Sequence, residues 1–252
     1  MKKALLAIVL LLTYSLPQIA TGTTSNSFNQ DKIQALLTEL LKHKNQISEE
    51  SSFGTTEIFF FNPVNGDNFV ASTNESDAFT SRPMSPEEVS HSQRVLNRNS
   101  LYSQESFGHT ILVINLCKDC VVAKVREITS SDEILRLVGS EEWLVALTFH
   151  EFMHAFDQKL WLPVYAKYSE SSECSAKIQE GSAKLAEAKS FSLLTRGDFA
   201  SVRSYIKLFE SIADETSISF YIKPALILHD YEISTGSNFF RGLKVGHLNP
   251  CH

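Results

Sequence analysis

The stretch of the chain with the clearest chemical potential is His150-Glu151-x-x-His154, in which two histidines lie four residues apart. On a helix, residues at this spacing lie on one face a turn apart, so both imidazoles can bind a single zinc ion. Glu151 directly follows the first histidine and is placed to take a proton from a metal-activated water. The spacing therefore predicts zinc ligands at His150 and His154, with Glu151 as the general base.

The residues around this motif predict the helix that carries it. Ser140 is a favourable N-cap, and the helix is expected to run from Glu141 to about Trp161, because Pro163 disfavours its continuation. The two histidines fall on a different face from the apolar residues, as a metal site in a cleft requires; the alternative is a core helix with hydrogen-bonded histidines. The apolar face at helical spacing comprises Val145, Phe149, Phe152, Phe156 and Leu160.

A catalytic zinc site needs three protein ligands and one open position, so a third ligand must come from elsewhere in the chain. The residue six positions after His154 is Leu160, which excludes the long histidine motif of the metzincins. Glu180 is the leading candidate, because a run of small residues from Gly181 lets its predicted helix approach the motif helix closely. Its alternative role is a solvated residue paired with Lys184. The competing candidates are Asp157, Glu173, Glu187 and Glu215.

The motif helix and the helix after it resemble those of the gluzincin metallopeptidases, in which a glutamate beyond the motif completes the metal site. The segment 150–157, HEFMHAFD, is especially similar to the catalytic helix of the anthrax lethal factor-like group. The resemblance covers about residues 140–187. It implies a zincin-like fold, zinc bound by His150, His154 and Glu180, and hydrolysis of peptide bonds in a peptide or protein substrate.

The same resemblance implies a tyrosine or histidine that stabilises the developing oxyanion. The chain departs from the thermolysin pattern, where an asparagine and an aspartate occupy the places of Gln179 and Lys184. Cleavage specificity therefore does not transfer from that family. The candidates for the oxyanion-stabilising group are Tyr165, Tyr168, His229 and Tyr231.

The remaining elements predict an α+β protein, with a small mixed sheet in the N-terminal half, about 23–139, and a mainly helical C-terminal half, about 140–252. The motif helix lies at the seam, and residues 23–252 are expected to form one zincin-like domain. Strands are expected at Thr56–Val64, His109–Leu116 and Val121–Ile128, and a loop at Asp67–Pro86. Other helices are expected at Asp31–Lys44, Ser85–Arg98, Ser131–Gly139, Cys174–Thr195, Phe199–Asp214 and Ser217–Tyr231.

The N-terminus predicts a secretory signal peptide over residues 1–22. Two lysines precede the apolar run Ala4–Leu12, which is too short to span a bilayer, and Ala20 and Gly22 are small enough for cleavage; the alternative is an uncleaved anchor. The mature protein is therefore expected to be secreted or periplasmic, without stable membrane insertion. The net charge of −6 argues against nucleic acid as a partner.

Four cysteines in an exported chain favour disulfide formation, and three pairings are possible for Cys117, Cys120, Cys174 and Cys251. The C-x-x-C pair at Cys117 and Cys120 could alternatively be a redox motif or half of a zinc knuckle. A redox motif requires a helix that begins at the first cysteine, whereas the residues after Cys120 predict a strand. A knuckle requires a second close pair, which the sequence lacks. We therefore interpret this pair as a structural disulfide.

These patterns lead to the hypothesis of an exported zinc peptidase. The first alternative is a catalytically inactive zincin-fold binding protein, and the second is an exported disulfide-bonded interaction protein whose motif is accidental. Glu151 favours the peptidase, because a binding protein has no use for a base beside the metal. The patterns make no prediction of cleavage specificity or oligomeric state.

Overall fold

The computed structural model describes residues 27–43, 47, 56–73, 79–97, 110–160, 172–197, 201–249 and 251. The chain divides into two compact units, one formed by Met1–Lys42 with Phe53–Leu144 and the other by His43–Ser52 with Val145–His252. The predicted signal peptide lies outside the described residues.

A four-stranded mixed sheet organises the first unit, with strand order β3-β2-β1-β4. Strand β1 pairs antiparallel with β2 and parallel with β4, so Phe59 lies opposite both Val70 and Val113. These three side chains form a buried cluster with Phe61 and with Val95 of the following helix. The strands are β1 Thr56–Phe61, β2 Phe69–Thr73, β3 Phe79–Pro83 and β4 Thr110–Asn115.

Two of the four strands, β1 and β4, match predicted strands, and the other two arise because part of the predicted loop Asp67–Pro86 is extended. Strands β2 and β3 both lie within it. Phe79 is the one buried residue of β3, and the polar residues that follow it are exposed. An edge strand needs few apolar residues, so its sequence resembles that of a loop.

The strand predicted at Val121–Ile128 is wrong, since this segment lies within and just beyond helix α3. Its buried side chains include Val121 and Val125, which lie four residues apart. That spacing places them on one helical face, whereas β-branched residues alone favoured a strand. The helices of the first unit are α1 Gln30–Lys42, α2 Pro86–Asn97, α3 Lys118–Arg126 and α4 Asp132–Val138.

Helix α5, Glu141–Leu160, is the motif helix, and its observed bounds match the predicted ones closely. The Ser140 hydroxyl accepts a hydrogen bond from Trp143 N at 3.2 Å, which confirms the predicted N-cap. Lys32 of α1 forms ion pairs with Glu141 and Glu142 in its first turn, at 3.0 and 2.9 Å. The helix begins in the first unit and continues into the second.

The second unit is helical throughout its described residues, so the chain is an α+β protein with a small sheet and a mainly helical remainder. One predicted helix, Ser217–Tyr231, is instead a short helix, a π turn at Ile218–Ile222 and a longer helix. No described helix of either unit is long and apolar enough to cross a membrane. The helices of the second unit after α5 are α6 Ser172–Leu194, α7 Val202–Glu210, α8 Glu215–Ser217, α9 Lys223–Thr235 and α10 Phe239–Val245.

Two disulfides pair the four cysteines, Cys117 with Cys120 and Cys174 with Cys251. The first bridges the start of α3, and the second joins α6 to the C-terminal end of the chain. Disulfides persist where the surroundings are oxidising, so this pairing indicates an oxidising compartment.

Candidate metal centre

Helix α5 presents its two histidines side by side. The Nε2 atoms of His150 and His154 lie 3.2 Å apart, and their ring centroids are 4.9 Å apart. His150 is buried and His154 is half-buried. The two imidazoles thus converge as the four-residue spacing predicts.

Helix α6 brings a carboxylate to the same place. Glu180 Oε2 lies 3.3 Å from His154 Nε2 and 4.0 Å from His150 Nε2. The ligand atoms of His150, His154 and Glu180 all lie within 4.8 Å of one another, so this group could hold a metal ion. Glu180 is 5% exposed, and its interpretation as a solvated partner of Lys184 is therefore wrong.

The geometry and bonding of these atoms fit a tetrahedral metal ion. Ligands bound at about 2.0–2.1 Å in a tetrahedron lie roughly 3.3 Å apart, close to two of the three separations observed. Glu180 Oε2 is buried and makes no hydrogen bond of acceptable geometry within the described chain. A buried carboxylate oxygen that faces two imidazole nitrogens without such a bond is a costly arrangement that a cation would stabilise.

Glu187, one of the alternative ligands, contacts the opposite side of His150. Its Oε2 accepts a hydrogen bond from His150 Nδ1 at 3.0 Å, and its Oε1 accepts from Lys184 Nζ at 2.7 Å and Tyr205 Oη at 2.5 Å. A proton on Nδ1 leaves the lone pair of His150 on Nε2, which faces Glu180 and His154. Glu187 therefore orients a histidine, as carboxylates commonly do behind metal ligands.

Lys184 supplies a buried positive charge behind the site. Its ammonium lies 3.8 Å from the ring centroid of Phe209 and 5.0 Å from that of Tyr205. Burial lowers the pKa of Lys184, and Glu187 opposes that change. For Glu187, burial alone raises the pKa, but Lys184 and His150 outweigh it and lower the pKa to about 2. The orienting carboxylate is therefore ionised at neutral pH.

Glu151 differs from Glu187 because nothing in the described chain holds its Oε1. The residue is 2% exposed, and Oε1 has no hydrogen-bond partner there. Burial raises the pKa of Glu151, with a smaller contribution from the nearby charges of Glu180 and Glu187, while His150 and His154 act to lower it. A buried carboxylate with an uncommitted oxygen and a raised pKa suits a group that accepts and returns a proton.

Two other predicted ligands, Glu173 and Glu215, do not join the group. Glu173 is exposed and pairs with Lys177 at 2.8 Å, and Glu215 is exposed at the start of α8. The side chain of Asp157 lies outside those described. Gly181 does permit a close approach, but to α9: a β-carbon there would lie 2.5 Å from Pro224 Cβ.

The predicted oxyanion candidates that are described face other groups. The charges that act on His229 belong to Asp230, Glu232, Lys189 and Arg203, none of them in the metal group. The ring of Tyr231 packs on α10, where a β-carbon at Gly242 would lie 2.5 Å from it. Tyr165 and Tyr168 lie outside the described residues.

Sequence reasoning missed Tyr221, a buried residue of the π turn. Burial raises its pKa well above the ordinary value, and the charges of Glu180 and Glu151 raise it further. The hydroxyl therefore stays protonated near both carboxylates. A π turn inserts an extra residue into a helix and often marks a functional site, but an apolar sequence such as Ile218–Ile222 gives no local sign of it.

No family model, curated protein or solved structure matches this chain.

Proposed function

We propose that the protein is a zinc-dependent peptidase with a gluzincin-like ligand set on a zincin-like fold. The observation that carries this proposal is the convergence of His150, His154 and Glu180 beside the uncommitted carboxylate of Glu151. A purely structural metal site would normally be closed by a fourth ligand and would need no such base.

Zinc is the metal we propose, because two imidazole nitrogens and one carboxylate oxygen form a ligand set that catalytic zinc commonly occupies. Bound there, it supplies Lewis-acid polarisation of a carbonyl and makes an attacking water more acidic. His150, His154 and Glu180 would hold the ion, and Glu187 keeps His150 in the tautomer that this requires.

Glu151 moves the proton in the proposed reaction. Its carboxylate accepts a proton from the water that attacks the peptide carbonyl, and then donates it to the leaving amine. Tyr221 donates a hydrogen bond to the carbonyl oxygen as negative charge develops on it, which its protonated hydroxyl allows. The resemblance of the motif helix to those of the gluzincins is the support for a peptide or protein as the substrate.

We propose that the enzyme acts outside the cytoplasm. Two disulfides support an oxidising compartment, and the predicted signal peptide at residues 1–22 supplies the route of export. The chain's net charge of −6 gives no support for a nucleic-acid substrate.

The test combines a metal assay with digestion of a quenched-fluorescent peptide library. We expect one zinc per wild-type chain, and a rate at least about 100-fold lower for Glu151→Gln with the metal retained. Glu173→Gln is the matched control, because Glu173 is exposed and paired with Lys177. Metal binding without hydrolysis by the wild type would support the inactive binding protein, and equal rates for wild type and Glu151→Gln would refute the mechanism.

A further inference from the structure

The Cys117–Cys120 disulfide lies at the N-terminus of helix α3. Cys117 is the N-cap residue in extended conformation, and its sulfur accepts a hydrogen bond from Cys120 N at 3.2 Å. Cys117 is 1% exposed, whereas Cys120 in the first helical turn is partly exposed. A helix that begins directly after the first cysteine is the condition that a redox C-x-x-C pair requires, and the structure meets it.

We propose that Cys117–Cys120 is a redox-active disulfide that exchanges with an external dithiol. The two cysteines have different roles in this exchange. Cys120 is the electrophile, because its sulfur belongs to the partly exposed residue of the pair. Cys117 is the leaving group, because it is shielded from solvent and faces a backbone N–H.

The start of α3 stabilises Cys117 as a thiolate. The N–H of Cys120 already points at its sulfur, and unpaired amide groups give a helix N-terminus a partial positive charge. Such surroundings lower a thiol pKa, and a leaving thiolate of low pKa departs faster. This arrangement favours attack on Cys120 Sγ with Cys117 as the leaving thiolate.

Hydrogen bonds that do not involve the sulfurs also hold this segment. Cys117 N donates to Asn115 Oδ1 at 2.9 Å, and Val121 N donates to Cys117 O at 3.1 Å. Cys117 also forms an isolated antiparallel bridge with Ser27. The cysteines are only three residues apart, so their bond closes a very short loop and constrains the unfolded chain little. The local fold therefore has support besides the disulfide, as repeated opening and closing would require.

The proposed exchange balances in two steps. A thiolate of the external dithiol attacks Cys120 Sγ, the Cys117–Cys120 bond breaks, and Cys117 leaves as a thiolate. The second thiol of the dithiol then attacks the dithiol sulfur that is bonded to Cys120, and Cys120 is released. Overall, the protein disulfide gains two electrons and two protons, and the external dithiol becomes a disulfide.

The test uses dithiothreitol on the folded full chain, with Cys174–Cys251 as an internal reference. Samples poised at different ratios of reduced to oxidised dithiothreitol are acid-quenched, alkylated and read by peptide mass spectrometry. We expect Cys117 and Cys120 to become alkylated together along a two-electron curve, at ratios where Cys174 and Cys251 remain joined. Reduction of both disulfides together, or only after unfolding, would overturn the proposal.

Single-cysteine variants test the assigned roles. Cys117→Ser leaves the partly exposed Cys120 free, and Cys120→Ser leaves the buried Cys117. With oxidised glutathione as probe, we expect a mixed disulfide to form at least about tenfold faster on Cys117→Ser than on Cys120→Ser. Equal rates, or a faster reaction of Cys120→Ser, would contradict the roles. If either variant does not fold, as read by circular dichroism, the wild-type titration alone decides.

Discussion

The chemistry that the candidate metal centre could perform depends on how individual carboxylates are held. Glu187 is bound on three sides and kept ionised, whereas Glu151 keeps one oxygen without a partner in the described chain and has a raised pKa. These two buried glutamates of the second unit thus suit different tasks. Glu187 is suited to orient His150, and Glu151 is suited to move a proton. The charge of Lys184 and the hydrogen bonds to Glu187 distinguish these two residues of the same type.

Removal of the charge on Glu187 should weaken metal binding. We expect Glu187→Gln to lower zinc affinity about 10- to 100-fold, because His150 loses the carboxylate that fixes its tautomer. This variant also leaves Lys184 buried without its counter-ion. A second variant therefore combines Glu187→Gln with Lys184→Met, which keeps the core neutral. Competitive titration with a chromogenic chelator measures the affinity. Unchanged affinity in both variants would show that Glu187 has no orienting role.

The Tyr221 hydroxyl should matter to turnover and not to metal binding. We expect Tyr221→Phe to lower kcat about 10²- to 10³-fold with one zinc retained, since a donor to the developing oxyanion is lost. Tyr231→Phe is the matched control, because that ring packs on Gly242. Peptide hydrolysis measures both, and a Tyr221→Phe enzyme with wild-type kcat would remove Tyr221 from the mechanism.

At the scale of elements, the second unit depends on helices that cross closely. Gly181, directly after Glu180, lies where α6 meets the start of α9 at Pro224. Only a residue without a side chain fits there, because a β-carbon would lie 3.1 Å from the backbone carbon of Pro224 as well as 2.5 Å from its Cβ. The crossing therefore sets the position of the carboxylate beside it.

Gly181→Ala should separate these helices and displace Glu180. We expect a loss of about 1–3 kcal/mol in the free energy of unfolding, as overpacking typically causes, together with weaker zinc binding. Gly242→Ala is the matched control: it overpacks against Tyr231 in the same unit but is far along the chain from Glu180. Urea unfolding and zinc titration should show destabilisation in both variants and an affinity loss in Gly181→Ala alone. Equal zinc affinities would contradict the proposed link.

At the scale of the whole molecule, the two disulfides constrain the chain to very different degrees. Cys174–Cys251 joins residues 77 apart in the second unit, whereas Cys117–Cys120 joins residues three apart in the first. Loop-closure entropy grows with the length of the closed loop, so the long-range disulfide should be the main covalent stabiliser.

Replacement of each cysteine pair by serines should reveal this difference. We expect the Cys174/Cys251 variant to lose roughly 4–5 kcal/mol of unfolding free energy, and the Cys117/Cys120 variant about 2 kcal/mol or less. Urea denaturation of the two double variants measures both losses, and each serves as the control for the other. Equal losses would show that loop length does not govern their contributions.

The sequence alone determined those features that depend on neighbours within one or two helical turns. His150 and His154 share a face because they are four residues apart, and Ser140 caps the helix through its own first turn. The α+β layout, including β1 and β4, likewise followed from local patterns of apolar residues. Short-range geometry is nearly independent of the rest of the fold, so it can be read from the chain.

Only the tertiary structure decided which distant groups meet. Glu180 and Glu187 were both possible ligands from their sequence, and helix packing places one at the Nε2 side of His150 and the other at its Nδ1 side. Tyr221 lies in a π turn, and α3 replaced a predicted strand because burial selected one helical face. Such choices depend on the approach of segments many residues apart, which local patterns do not encode.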